Sequence, residues 1–386
     1  MPAVNDTPIY LDHNATTPIA PEVLDAMLPV LRSGFGNPSS AHAYGYSAHA
    51  LVEHARERVA ELLGCSPTEI VFTSGGTESN NAALIGVAEA TQHRGRHLIT
   101  SAVEHPAVAA TCAHLEGRGW DVTRVGVDRD GRIRLDELTR AVRPETTLIT
   151  IMHSNNETGV VQPIEELRES IAPMAAILHT DAAQSVGKID CRVDSLGVDA
   201  LTIAGHKLYA PKGVGALYLR RGTPCERYLH GAGHEAGRRA GTENVAQIVA
   251  LGRACELAAQ EGVARERHLS HLRDRLEARL RAGLSDLVVH GAAAPRLPNT
   301  LFAAVPRTSA IELLDAVPEI AAAAGSACDA GKPHVSETLR AMGVDESIAL
   351  ATLRLTVGRG NTEDEIDRAA DLLVQAAQSL RRSADR

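Results

Sequence analysis

From about residue 20 to 260 the chain alternates short apolar runs with longer stretches whose apolar positions recur every three or four residues. The runs at 69–73, 97–101, 122–127, 148–152, 177–180, 199–203 and 214–219 are rich in Val, Ile, Leu and Thr and too short for helices, so they predict seven strands. Apolar strands separated by helical stretches fit a mainly parallel sheet, because the crossover helices bury both of its faces. Val23, Ala26, Met27, Val30 and Leu31 give the first helix its period, and Pro21 sits at the first turn, where its missing N–H costs nothing.

Beyond about residue 260 the texture changes to a charged helix over 264–284, strands near 300–305 and 353–357, and a last helix from Thr362. The expectation is an α/β chain: a large domain, 15–260, on a seven-stranded, mainly parallel sheet, and a small α+β domain made of 1–14 and 261–386. A chain of 386 residues exceeds what one core usually serves, and no repeat or low-complexity linker interrupts it, so the two domains are expected to pack firmly.

Composition narrows the function classes. With 44% hydrophobic and 23% charged residues the chain has neither a disordered nor a fibrous bias. A net charge of -9 without a long single-sign run weighs against a direct nucleic-acid partner. The first ten residues lack the basic start and apolar centre of a secretory signal, and no stretch of about 18 apolar residues occurs, so no membrane span and a cytoplasmic location are expected. The cysteines, at 65, 112, 191, 225, 255 and 328, contain no CxxC pair, which points to neither a disulfide framework nor a metal site. Five of them are expected to be buried hydrophobes.

The candidate chemistry lies at strand ends. Ser74-Gly75-Gly76-Thr77-Glu78-Ser79-Asn80 follows a strand and opens a helix, where free N–H groups and the helix dipole favour an anion such as phosphate; an ordinary Gly-rich turn reads the same way. Asp181 ends an apolar strand and Gln184 follows it; the carboxylate suits a pyridinium nitrogen and the amide a phenolic oxygen, although a strand-end aspartate also serves as a helix cap. Lys207, in Ala204-Gly205-His206-Lys207, follows another apolar strand, where a lysine can form a Schiff base and then act as a base. His105, before Pro106, either caps a turn or stacks on a ring. These pieces occur in the order that a pyridoxal-phosphate domain of aminotransferase type needs.

The sequence resembles the NifS/IscS-type cysteine desulfurases of the class V aminotransferase superfamily over nearly its whole length. The resemblance rests on Tyr10-Leu11-Asp12-His13-Asn14-Ala15-Thr16-Thr17-Pro18, Gly36-Asn37-Pro38-Ser39-Ser40, 72–81 and Ser154-Asn155-Asn156-Glu157-Thr158-Gly159. It continues through Asp181-Ala182-Ala183-Gln184, His206-Lys207, Arg238-Arg239-Ala240-Gly241-Thr242-Glu243-Asn244, Gly325-Ser326-Ala327-Cys328 and 353–359. It implies pyridoxal 5'-phosphate carried on Lys207, with His105 on the ring, Asp181 at the ring nitrogen, Gln184 at the phenolic oxygen, and Gly76, Thr77 and His206 around the phosphate. It further implies that Asn155 lies beside the cofactor, that Asn155, Asn14 and Arg354 serve the substrate, and that Cys328 takes sulfur from L-cysteine. Thr242 would reach the phosphate of a neighbouring subunit in a homodimer, and the sulfur would pass to an acceptor protein such as an iron–sulfur scaffold or a thiolation relay.

The chain also departs from that pattern. Ala204 stands where many relatives have a serine, so a phosphate donor is missing or replaced by Thr202 or water; His234 replaces a glutamine and Ala210 a glycine. The segment Thr202-Ile203-Ala204-Gly205-His206-Lys207 is also similar to the selenocysteine lyase branch, which keeps that activity open as an alternative, with a cofactor-bearing scaffold as a more distant one.

Overall fold

The computed structural model describes residues 7–172, 174–329 and 332–384; the side chains of 326–334 and of Ala384 are not among those described. Seven strands form one sheet: β1 (Ile70–Thr73), β2 (His97–Ser101), β3 (Asp121–Val125), β4 (Thr146–Thr150), β5 (Ile177–Asp181), β6 (Ala200–Ala204) and β7 (Gly215–Leu219). Their order is β1-β7-β6-β5-β4-β2-β3. Only the pairings of β7 with β1 and β6 are antiparallel, so β7 alone is reversed.

The expected strands occur, with shifts of one or two residues at their ends. The largest shift is in β4, which starts on Thr146 rather than 148. Apolar pattern alone excluded Thr146, yet its hydroxyl lies 2.7 Å from His97 Nδ1, and that buried bond lets a polar residue extend the strand. Ile151 and Met152 leave the ladder and lead into the loop that carries Ser154 and Asn156.

The main helices are α1 (Pro21–Ser33), α2 (Ala43–Leu63), α3 (Gly76–Thr91), α4 (Pro106–Gly117), α5 (Val245–Gly283) and α6 (Glu363–Ala384). The helix expected at 264–284 is the second half of α5, whose 39 residues bend at Gly262 (φ 25°, ψ −108°). Before the bend Ile248, Leu251, Cys255 and Ala258 join the core of the large sheet; after it Leu269, Leu272, Leu276 and Leu280 join a separate core. Ile9 and Leu11 lie in that second core.

The second core carries an antiparallel sheet of β8 (Val288–Val289), β9 (Thr300–Ala304), β10 (Ala323–Ala324) and β13 (Thr352–Thr356), in the order β10-β13-β9-β8. Between β10 and β13 the chain forms a hairpin of β11 (Ser326–Asp329) and β12 (Lys332–Val335), in which Cys328 pairs with Pro333. Among the described residues no helix is long and apolar enough to cross a membrane.

Candidate active site

Segments leaving the carboxyl edge of the large sheet converge on a cavity of about 310 Å³. Its wall includes Gly76, Thr77 and Asn80 from α3, His105 from the start of α4, and Ser154 and Asn156 after β4. Asp181 and Gln184 from the end of β5, and Ala204, His206 and Lys207 after β6, complete it. A larger cleft, about 650 Å³, lies against Arg56, Glu69, Arg220 and Arg238 and shares no residue with this wall.

Lys207 Nζ donates to the Ala15 carbonyl (2.7 Å) and the Asn14 carbonyl. Its pKa is pulled from 10.5 to about 8, by burial first and then by the Arg354 charge, against the pull of Asp12 and Asp181. An amine so depressed is available as a nucleophile and base near neutral pH. Across the cavity Asp181 accepts from Asn80 Nδ2 (2.7 Å) and from the Ala183 N–H (2.9 Å). Both donors are neutral amides, so neither brings a charge to the Asp181 carboxylate.

His105 caps α4: its Nδ1 accepts from the Ala107 N–H at 3.1 Å, which leaves the proton on Nε2. Burial lowers its pKa; Asp181 opposes this and Lys207 adds to it. His206, its Nδ1 3.2 Å from Thr16 Oγ1, is pushed down to about 4 by burial and then by Lys207, Lys212 and His105. Two neutral imidazoles therefore face the cavity.

Gly76 is the first residue of α3, so its N–H and that of Thr77 are free of helical partners. A Cβ on Gly76 would come 3.1 Å from Ala204 Cβ, which makes this corner a close cradle for an anion. Thr202 does not supply the hydroxyl that Ala204 lacks. Its Oγ1 bonds His179 Nε2 (3.2 Å), and its methyl is the part nearest the Gly76 cradle.

Asn155 stands behind the wall. Its Oδ1 accepts from the Glu157 and Thr158 N–H groups and its Nδ2 donates to the Val103 carbonyl, while Ser154 and Asn156 face the cavity. Asn14 is also fully committed, its Nδ2 donating to the Asn156 carbonyl and Thr300 Oγ1 and its Oδ1 accepting from Lys188 and Asn299. Arg354 reaches the same corner, bonded to Asp12 Oδ1 (2.8 Å) and the Asn156 carbonyl (3.2 Å), and its buried Nε has no partner among the described residues.

Thr242 is exposed and does not line the cavity. Its loop is anchored by Glu235, which accepts two bonds from Arg56 (2.8 and 2.9 Å) and one from the Phe72 N–H (2.9 Å), while His234 Nδ1 accepts from the Gly241 N–H at 3.2 Å. The side chain of Cys328 lies outside the described residues; its backbone is five residues past Ala323, the register partner of Arg354. Cys112, Cys191 and Cys255 are buried as expected, whereas Cys65 and Cys225 are half-buried; burial pushes all five thiols up, four of them to about 12.

Residues 9–369 match the family described as Aminotransferase class-V. The chain belongs to this family. Among class-V relatives, a cysteine desulfurase IscS of Dictyoglomus turgidum is 43% identical over 97% of this chain and 95% of its own length. A cysteine desulfurase of Mus musculus is 43% identical over 97% of this chain and 82% of its own. A NifS-like protein of known structure superposes with a TM-score of 0.90 at 37% identity, over 97% of this chain and 99% of that one. Another solved structure, described as SspA in complex with cysteine, gives 0.80 at 37% identity over 90% of this chain and 98% of that one.

Class-V enzymes work with pyridoxal 5'-phosphate, and the wall fits it. Among the described residues Asp181 has no ion-pair partner within bonding distance and Asn80 Oδ1 is buried without a donor, and the Gly76 cradle offers N–H groups for a phosphate. Asn80 was named only as the end of the Gly-rich segment, with no role at Asp181, and Lys188 and Glu235 were given no part in the site. Asn80 carried a faint signal, one helical turn after Gly76; Glu235 carried none, because its partners are distant in the chain, and Lys188 carried none, because its partner Asn14 is distant and a four-residue spacing to Gln184 is common.

Proposed function

We propose that the chain is a pyridoxal-phosphate-dependent cysteine desulfurase that converts L-cysteine to L-alanine and keeps the sulfur on Cys328. The observation that carries this reading is the Lys207 amine, depressed to about 8, facing Asp181 across one cavity. The kinship with relatives named cysteine desulfurase supplies the substrate.

When bound, the cofactor supplies an electron sink for charge developing at the amino acid's α-carbon. Asp181, fixed by Asn80 and Ala183, holds the positive end of that sink. Lys207 Nζ takes the α-proton, and the Arg354 guanidinium grips the substrate carboxylate through a charge-assisted, bidentate pair. Cys328 Sγ, as thiolate, attacks the substrate sulfur: an S–S bond forms, the Cβ–S bond breaks, the electron pair left on Cβ takes a proton, and Lys207 returns a proton to Cα to give alanine. The five residues from Ala323 to Cys328 span at most about 18 Å when extended, and Ala323 is the register partner of Arg354, so the hairpin leaves the sheet close to that arginine.

The finer reading includes Gln184 at the phenolic oxygen, His105 on the ring face, Gly76, Thr77 and His206 at the phosphate, and Asn14 and Asn155 ordering the substrate corner. It also includes a cytoplasmic homodimer in which exposed Thr242 completes the partner's phosphate site. An iron–sulfur scaffold or thiolation relay would receive the sulfur. Radiolabelled L-cysteine tests the core of this reading: label should remain on the protein through a bond that thiols release, and Cys328→Ser should abolish it. A Cys328→Ser chain that still makes alanine at the parental rate would refute the persulfide step.

A further inference from the structure

Lys188 is buried in the centre of the molecule, four residues past Gln184, and the reaction as derived above does not use it. Its Nζ donates to Gln184 Oε1 and to Asn14 Oδ1, each at 3.0 Å. Both acceptors are neutral amide oxygens. As an ammonium Lys188 has three N–H groups and no acceptor, and as a free amine it still has two N–H groups, one for each oxygen. An amide that faces it is therefore held with its oxygen toward it and its NH₂ away.

That requirement settles which way two amides point on either side of Lys207. With Oε1 on Lys188, Gln184 gives one N–H to the Asn14 carbonyl (2.9 Å), and its second N–H is the one donor left to face the cavity that Gln184 lines. With Oδ1 on Lys188 and Asn299, Asn14 turns its Nδ2 to the Asn156 carbonyl (3.2 Å) and Thr300 Oγ1 (2.9 Å). The Asn14 carbonyl in turn accepts from Lys207 Nζ.

We propose that Lys188 is a positioning residue that sets the Gln184 amide donor-inward, so that the cavity offers an N–H rather than a carbonyl oxygen to the ring oxygen of the bound cofactor. Placing an ammonium-capable group there is costly: burial, then the charges of Lys207 and Arg354, pull its pKa to about 7. A hydrophobic residue would fill the space at less cost but would leave the buried Gln184 amide oxygen without its donor and Asn14 Oδ1 with Asn299 alone, which lets Gln184 turn over. The proposal rests on the cofactor reading above, and its test is separable from it.

The experiment is a double-mutant cycle on the full chain with added pyridoxal 5'-phosphate, using Lys188→Met, Gln184→Met and both together. Two quantities are read: the visible absorption band of the bound cofactor and its dissociation constant. Lys188→Met should displace the band and weaken binding roughly tenfold, on the scale of one buried polar group left unpaired. In the Gln184→Met background the same change should alter either quantity less than about twofold, because the amide through which it acts is gone. Equal effects in both backgrounds, or an unchanged band and affinity in Lys188→Met, would overturn the role. If Lys188→Met does not accumulate folded, Lys188→Arg, which keeps donors for both oxygens, decides: a parental band supports the proposal, and a displaced band at parental stability overturns it. A parental chain that takes up no cofactor would instead defeat the functional reading itself.

Discussion

Asp181 depends on Asn80 more than its own position suggests. The Asn80 amide supplies one of the two hydrogen bonds that hold the carboxylate among the described residues, at 2.7 Å, and the Ala183 N–H supplies the other. Losing a hydrogen bond to a charged group costs about 1.5–3 kcal/mol, so Asn80→Ala should weaken cofactor binding by roughly tenfold to a hundredfold, read by absorbance titration. Parental affinity would show that Asp181 needs no such tether. Arg354 answers to a different readout: Arg354→Lys keeps the charge but loses the planar fork, so KM for L-cysteine should rise about tenfold or more with kcat less affected. An unchanged KM would remove Arg354 from the carboxylate. Asp181 and Lys207 were legible because strand-end position and residue type together restrict what they can do. Asn80 was not, because an asparagine on a helix reads alike on every face, and its partner is 101 residues away.

Among the elements, the start of α3 carries the clearest separation of stability from function. Gly76 has helical backbone angles and no positive φ, so an alanine there is not strained by conformation. Helix propensity even favours it, by up to about 1 kcal/mol. Its Cβ would nevertheless press to 3.1 Å of Ala204 Cβ in the anion cradle. Gly76→Ala should therefore leave the cofactor-free chain at least nearly as stable in urea while lowering affinity for pyridoxal phosphate; equal affinity would move the phosphate elsewhere. The strand-loop-helix pattern was readable at this point because glycines and hydroxyls cluster between two apolar runs. The first half of α5 was not: Ile248, Leu251, Cys255 and Ala258 bury on one side and Ala246, Ala250, Ala254 and Leu257 on a second one, which blurs the one-faced period that marked 264–284. The hairpin of β11 and β12 gave no strand signal, since Gly331-Lys332-Pro333 signals a turn and hides the short strands around it.

Across the whole molecule, neutral histidines are built into both cores. His153 and His179 lie at the large sheet, and His13 and His290 belong to the smaller body; all are at most 5% exposed. Burial is the first cause in each case, and it holds His13, His153 and His290 near 4 and His179 near 3, below the ordinary 6.5. Because the unfolded chain binds protons that the folded chain refuses, stability from these groups is present above pH 6.5 and is lost as pH falls toward 4. Each contributes a slope of about 1.4 kcal/mol per pH unit within that window. Buried Glu104 acts in the opposite sense: its carboxyl, raised to about 8 by burial, favours the folded state at low pH and loses that contribution as pH rises. The histidines outnumber it, so the urea midpoint should drop steeply between pH 6.5 and 4. His290 makes a clean probe, since its Nε2 meets Thr352 Oγ1 at 3.0 Å and a glutamine amide can take that place without titrating. His290→Gln should flatten the pH dependence by one histidine's share, and because His290 belongs to the small-body core, a change in the unfolding of the large sheet as well would show that the two cores melt as one unit. A midpoint that stays level from pH 6.5 to 4, or a slope untouched by His290→Gln, would mean that water reaches these imidazoles and that burial does not govern their charge.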